Sequence, residues 1–440
     1  MLFSSNTFLF GFLPITVLAY YLSPRKFRNL LLLLASLVFY GWGEPRFLPL
    51  MLVSILLNYG CGRAVAARQT AGKDPKAALW AGVAVNLAML GFFKYGRFFF
   101  GDRFPDIPLP IGISFYIFQA MSYVIDVSRE QVPVQKNVLT FGTYVALFPQ
   151  LIAGPIVRYR DVARELEDRR ESGAQFAAGV LRFTLGLSKK VLLANTFGSA
   201  WNVLREGAGM TSGWIGLLCY TLQIYFDFSG YSDMAIGLGL LFGFTFLENF
   251  NYPYISQSVT EFWRRWHISL SSWFREYVYI PLGGNRRGKK RQILNILIVW
   301  LLTGLWHGAS WNFVLWGGYY ALLLIIEKLW LLKMEEHCPK ALRCLGTMLA
   351  VMLGWAIFYF EDLGQLAAFL VRLVTPANST GWSYYLPVLT VGALCATPIV
   401  KEMGRKLPDW ARWLACLALF ALCVASLARQ SYNPFIYFRF

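Results

Sequence analysis

Gln292-Ile293-Leu294-Asn295-Ile296-Leu297-Ile298-Val299-Trp300-Leu301-Leu302-Thr303-Gly304-Leu305-Trp306-His307-Gly308-Ala309-Ser310-Trp311 opens a stretch that continues to Ile326 without a Lys, Arg, Asp or Glu. These 35 residues are enough to cross a bilayer more than once at about 20 residues per crossing. Their one titratable side chain is His307. An ionisable group in hydrocarbon is costly and usually marks a pathway or a reaction, which makes His307 the first candidate for chemistry. The alternative is an imidazole that ties neighbouring helices together by a hydrogen bond.

Outward from this stretch the pattern repeats. Uncharged segments occupy residues 2–24, 29–43, 47–62, 77–93, 107–125, 137–157, 191–204, 207–226, 234–247, 344–360, 373–400 and 413–428. Hydrophobic residues make up 57% of the 440, aromatics 17% and charged residues 15%, against about 25% charged in soluble domains. The apolar runs are solid rather than alternating, which excludes a membrane β-barrel. The expectation is an all-α polytopic membrane protein with roughly ten to twelve membrane helices, some too short to span. One membrane domain fills residues 1–440. The first segment contains Pro14 and lacks a basic leader and a small-residue cleavage site, so it reads as a retained helix.

The net charge of +17 does not point to nucleic acid, because the basic residues fall in short clusters between apolar runs. Arg25, Lys26 and Arg28 after the first segment, and Arg63, Arg68, Lys73 and Lys76 after the third, place the amino terminus outside the cytoplasm. Lys401, Arg405, Lys406 and Arg412 before the last segment send the carboxy terminus outward too. Between these ends the count conflicts: Arg129 and Lys136 precede segment 137–157, and Arg158, Arg160, Arg164, Arg169 and Arg170 follow it. Pro108, Pro110 and Gly112 in one segment, and Pro149, Gly154 and Pro155 in the next, supply break points for at least one re-entrant element.

Residues 256–280 differ from the spans around them. Phe262, Trp263, Trp266, Leu270, Trp273 and Phe274 recur at helical spacing, with Arg264, Arg265, Ser269 and Arg275 elsewhere. That reads as an amphipathic helix lying on or dipping into the cytoplasmic leaflet. Arg286, Arg287, Lys289, Lys290 and Arg291 form a basic loop after it. Of the three histidines, His267 sits on this helix, where an interfacial side chain is the competing reading, and His337 falls in a charged stretch that suits a solvated loop. Asp227 and Asp233 are buried by context and suit pairing with arginine, capping of a broken helix, or the lining of a cavity. The seven cysteines are scattered without ligand spacing, so they read as small core residues, with no metal site. No Gly-x-Ser-x-Gly elbow, Walker loop or HExxH occurs. A neutral histidine in a dry cavity suits a general base that removes a hydroxyl proton during acyl transfer.

Glu261-Phe262-Trp263-Arg264-Arg265-Trp266-His267-Ile268-Ser269-Leu270-Ser271-Ser272-Trp273-Phe274-Arg275, then Pro281-Leu282-Gly283-Gly284-Asn285 and Gly304-Leu305-Trp306-His307-Gly308, resemble the membrane-bound O-acyltransferase family. The likeness is greatest to the bacterial branch that O-acetylates alginate, peptidoglycan or cellulose, with the teichoic-acid D-alanylation protein more distant. Pro110-Ile111-Gly112-Ile113-Ser114-Phe115, Ala153-Gly154-Pro155-Ile156 and the Asp227–Asp233 block extend it over nearly the whole chain. The resemblance implies a ring of helices, with re-entrant and interfacial pieces, around a central tunnel. In it His307 is the intramembrane catalytic residue and His267 a second active-site histidine at the cytoplasmic mouth. Trp306, Arg264, Arg265, Asp233, Asp227, Arg286 and Arg287 become candidates for the tunnel or donor site; for the basic loop, anchoring to anionic lipid competes.

Pro434-Phe435-Ile436-Tyr437-Phe438-Arg439-Phe440 resembles the branch's carboxy-terminal aromatic motif, in which the tyrosine takes the acyl group and passes it on. A phenol hydroxyl beside a basic histidine can form a reactive ester; an aromatic belt is the competing reading of Tyr437. The implied function is a bacterial inner-membrane O-acyltransferase. It takes an acyl group, acetyl in this branch, from a cytosolic thioester such as acetyl-CoA and uses no bound cofactor. It delivers the group for O-acetylation of an extracytoplasmic polysaccharide, with an external SGNH-type acetyltransferase partner. The rival is a transporter or flippase of an envelope precursor with His307 as proton relay, for which the sequence holds no paired halves or inverted repeat.

Overall fold

The computed structural model describes residues 1–152, 154–331, 338–377, 381–429 and 435–436. Among these every regular element is a helix. The chain divides into two compact units. One comprises residues 1–184 and 231–247, the other residues 185–230 and 248–440.

Among the described residues five helices are long and apolar enough to cross a membrane: Pro45–Thr70, Lys76–Arg103, Trp311–Trp330, Lys340–Tyr359 and Asp409–Arg429. A sixth candidate is the pair Trp382–Cys395 and Ile399–Lys406, bent by 70°. Of the other apolar segments, some form helices of comparable length, Gly209–Leu241 with 33 residues and Lys289–His307 with 19, and others shorter ones, such as Arg28–Gly43 and Ile113–Ser128.

In the first unit, Ile113–Ser128 is buried on nearly every side. It begins six residues later than the apolar run because Gly112, at φ +75°, turns the chain into the helix. The next run breaks, as its prolines predict. Val138–Ala146 is nine residues long, about 14 Å, too short to cross. Leu147 leaves helical geometry at φ −50°, ψ 111°, and a further four-residue turn, Phe148–Leu151, carries Pro149 as its second residue. Asn137 caps the nine-residue helix by accepting the Leu139 N–H at 2.9 Å. Buried amides Asn58 and Asn86 exchange hydrogen bonds at 3.1 and 2.7 Å, joining two helices where apolar contact alone gives little specificity.

In the second unit, the 35-residue uncharged stretch is a helical hairpin. Lys289–His307 and Trp311–Ile326 are its legs, joined through Gly308, Ala309 and Ser310. The legs pack backbone to backbone. A Cβ on Gly304 would collide with the Phe313 carbonyl oxygen, and one on Gly317 with that of Trp300. Lys340–Tyr359 lies against the second leg, where Gly354 leaves room for the Tyr320 hydroxyl.

The segment expected to be one amphipathic helix on the leaflet is not one helix. It folds as Val259–Arg265 and Ile268–Phe274 with a left-handed His267, φ +45°, at the break, followed by a turn at Arg275–Tyr279. Its aromatic face does not meet lipid: Phe262, Trp263, Trp266, Trp273 and Phe274 are all buried. Trp263 packs on Trp300, Trp316 and Tyr320, and Phe262 on Trp355, so the apolar stripe is satisfied by neighbouring helices. Cys219, Cys416 and Cys423 are buried and all seven thiols are free.

Candidate active site

His307 is the last residue of the hairpin's first leg and is buried. Its ring meets three aromatic edges at near-perpendicular angles: Trp306 at 5.0 Å, Trp316 at 5.1 Å and Phe358 at 5.2 Å. Each comes from a different part of the hairpin and the helix beside it. The glycine contacts that set the hairpin therefore also set the imidazole.

His267 stands at the kink between the two short helices. The amide oxygen of buried Asn249 accepts the Ser269 N–H at 3.1 Å and the Ser269 hydroxyl at 2.9 Å. That identifies the atom as oxygen, so His267 Nδ1, 3.3 Å from it, carries the proton. Nε2 then holds the lone pair, and it has no hydrogen-bond partner among the described residues. Burial pushes the pKa of this ring down to about 3, keeping it neutral. The helix that leads into the kink is tied at its start: Glu327 accepts the Val259 N–H at 2.6 Å and the Thr260 N–H at 3.1 Å, and Ser258 accepts that of Glu261 at 3.0 Å.

Trp306 links the two histidines. It lies 5.9 Å from the His267 ring and 5.0 Å from His307, and is itself 1% exposed.

A narrow cavity of about 30 Å³ is lined by Ile224, Asp227, Phe228, Trp266, His307, Trp355, Phe358, Phe435 and Ile436. His307 and Asp227 are its two ionisable residues; the rest of the wall is aromatic or aliphatic. His267 stands behind this wall, its ring 4.8 Å from Phe228. Asp227 is held on both oxygens: Lys190 Nζ lies 2.6 Å from Oδ1, and the backbone N–H of Ile436 donates to Oδ2 at 2.8 Å. Ile436 also lines a second, polar cavity of about 370 Å³ with Trp201, Asn202, Arg205, Gln223, Glu361 and Asp362 among its walls. There, buried Trp201 Nε1 and Gln223 Oε1 have no hydrogen-bond partner among the described residues. The Ile436 side chain is thus shared by an apolar wall carrying His307 and a polar one.

The other sequence candidates disperse. Arg265 is held by Glu261, with Nε and one terminal nitrogen each 2.9 Å from Oε1, and donates to the Asn251 carbonyl. Arg264, Arg286 and Arg287 are exposed. Of the expected basic loop only Arg286 and Arg287 precede the helix; Lys289, Lys290 and Arg291 form its first turn, whose start is about 27 Å along the axis from His307. Asp233 belongs to the first unit, where Arg182 grips one of its oxygens at 2.9 and 2.6 Å. The arginine pairing weighed for the carboxylates therefore holds for Asp233, while the partner of Asp227 is a lysine. Tyr437 and His337 lie outside the described residues.

Asn249, Glu327 and Lys190 were not among the sequence candidates. Glu327 carried one signal, as the charge that ends the uncharged stretch. Asn249 and Lys190 carry no pattern in the sequence that sets them apart from other polar residues beside apolar runs.

A model of the membrane-bound O-acyltransferase family matches residues 125–370, which contain both histidines. Over the whole of both chains the sequence is 41% identical to the protein named "Probable alginate O-acetylase AlgI" of Azotobacter vinelandii. It is 34% identical to a peptidoglycan O-acetyltransferase of Helicobacter pylori, over 85% of this chain and 80% of that one. It is 30% identical to a teichoic acid D-alanyltransferase of Streptococcus thermophilus, over 58% and 69% of the two.

Proposed function

The chain belongs to the membrane-bound O-acyltransferase family, and from that premise we propose that it moves an acetyl group from a cytosolic acyl thioester to a hydroxyl on the far side of the inner membrane. It is a multi-helix membrane enzyme, an O-acyltransferase acting in O-acetylation of a polysaccharide. The observation that carries the finer reading is the placement of buried His307 in the wall of a small, largely apolar cavity.

In this mechanism His307 takes the proton of the acceptor hydroxyl as its oxygen attacks the thioester carbonyl. A carbon–oxygen bond forms, the carbon–sulfur bond breaks, and the thiolate leaves with the proton returned from the imidazolium. The apolar wall excludes water that would hydrolyse the donor. His267, neutral and with its accepting nitrogen fixed by Asn249, orients donor or acceptor through the Trp306 side. Trp306 holds both rings.

The direction of transfer rests on charge. Both outer ends of the His307 hairpin carry basic residues, Lys289, Lys290 and Arg291 at one and Lys328 at the other, and Lys340 and Arg343 begin the helix beside them. With those ends cytoplasmic, His307 and the loop bearing Glu361 and Asp362 face outward. The polar cavity is then the acceptor side, and both chain termini are extracytoplasmic. Tyr437, which follows Ile436 in the sequence, would carry the acyl group there, to be collected by an SGNH-type partner. Arg286 and Arg287 would meet the donor's phosphates at the cytoplasmic entrance.

Family membership favours this over a carrier with His307 as relay. The test is His307→Ala in membranes supplied with labelled acetyl-CoA. Labelling of the acceptor should fall by at least about a hundredfold at unchanged protein level; undiminished labelling overturns the base assignment.

A further inference from the structure

We propose that Asp227 is a positioning residue for the acceptor end of the reaction: its carboxylate, with the charge balanced by Lys190, anchors the backbone at Phe435 and Ile436 between the two cavities. Both side chains are buried, at 3% and 4% exposure, and Nζ to Oδ1 is 2.6 Å. A buried ion pair contributes little stability by itself and is often replaceable by apolar packing. Here it has a further task. Lys190 neutralises one oxygen of Asp227, and the other accepts the N–H of Ile436, 209 residues away in sequence. Without that acceptor the Ile436 amide would sit in an apolar wall with an unmet donor.

What the anchor holds is specific. Phe435 and Ile436 are buried and close the wall of the His307 cavity. Ile436 is at the same time part of the polar cavity's wall. Release of this segment would remove two side chains from the His307 cavity and open it towards the polar one. It would also free the next residue, Tyr437, from any fixed delivery to His307. In this last point the inference rests on the acyl-relay reading above; the anchor itself does not.

Hydrogen exchange of the Ile436 amide, resolved by mass spectrometry on the full chain in detergent, reads the contact directly. The wild-type amide should be protected. Asp227→Ala should speed its exchange at least about tenfold and lower kcat, with the donor KM little changed. The swap Asp227→Lys with Lys190→Asp keeps an ion pair but puts no acceptor at 227, and should release the amide equally. The neutral pair Asp227→Asn with Lys190→Met keeps an amide oxygen there and should retain protection and most activity. A protected amide in the swapped variant, or a released one in the folded neutral pair, overturns the proposal. Tyr437→Phe separates the two readings: full activity with a protected Ile436 amide removes the relay and leaves the anchor standing.

Discussion

The Glu327 carboxylate accepts the backbone N–H of Val259 at 2.6 Å, although the two stand 68 positions apart. It thereby caps, from the far end of the hairpin that carries His307, the seven-residue helix leading into His267. One carboxylate couples the placement of both histidines. A helix of two turns has little stability of its own, so its start must be held from outside.

Glu327→Gln keeps the shape and removes the charge. Charge-assisted hydrogen bonds contribute about 1.5–3 kcal/mol and neutral ones about 0.5–1.5, so the variant should lose about 1–1.5 kcal/mol of stability, seen as a lower melting temperature in detergent, and acyl transfer should fall with it. An unchanged melting temperature would separate Glu327 from the positioning of His267.

Gly317 and Gly318 are adjacent, but only one meets a neighbour. A Cβ at 317 would strike the Trp300 carbonyl, whereas nothing lies within 4 Å of one at 318. Gly317→Ala should push the legs apart at about 1–3 kcal/mol and displace His307, cutting activity at least tenfold. Gly318→Ala should be neutral or slightly stabilising. Equal behaviour of the two in thermal unfolding and turnover would contradict backbone-to-backbone packing.

Burial lowers the pKa of His267 to about 3 from a value near 6.5 in the unfolded chain. Between those values the unfolded state binds the extra proton. Stability is therefore complete above about pH 6.5 and declines as the pH falls towards 3, by up to about 1.4 kcal/mol per unit. Melting temperatures at pH 7.5, 6 and 5 should drop in sequence, and less steeply in His267→Gln. Parallel curves would show that this ring does not titrate on unfolding.

Asp227 and Asp233 should separate by phenotype. Asp233→Asn weakens the grip of Arg182 within the first unit, so protein yield or melting temperature should drop while turnover per folded molecule is kept. Asp227→Ala should reduce turnover per folded molecule. A turnover defect in Asp233→Asn that matches the one in Asp227→Ala would place both carboxylates in the reaction.

Helical class and membrane character were legible because hydropathy is local: each uncharged run must satisfy its own backbone in lipid. The break near Pro149 and the turn at Gly112 were legible for the same reason, since proline and glycine act on their own backbone. The stretch around His267 misled because its three- and four-residue spacing is common to a lipid-facing stripe and a protein-facing one. Only the presence of Trp300, Trp316, Tyr320 and Trp355 opposite decides between them.

By itself the sequence determined a many-helix membrane protein with an imidazole inside its least charged stretch, and motifs specific enough to name a family. The tertiary structure alone decided which polar groups meet. Asp227 has Lys190 and the Ile436 amide rather than an arginine, and Asn249 sets the tautomer of His267. Such pairings depend on chain segments distant in sequence arriving at one point in a water-poor interior. There each buried charge or donor must find a partner, and no local periodicity specifies which one it will be.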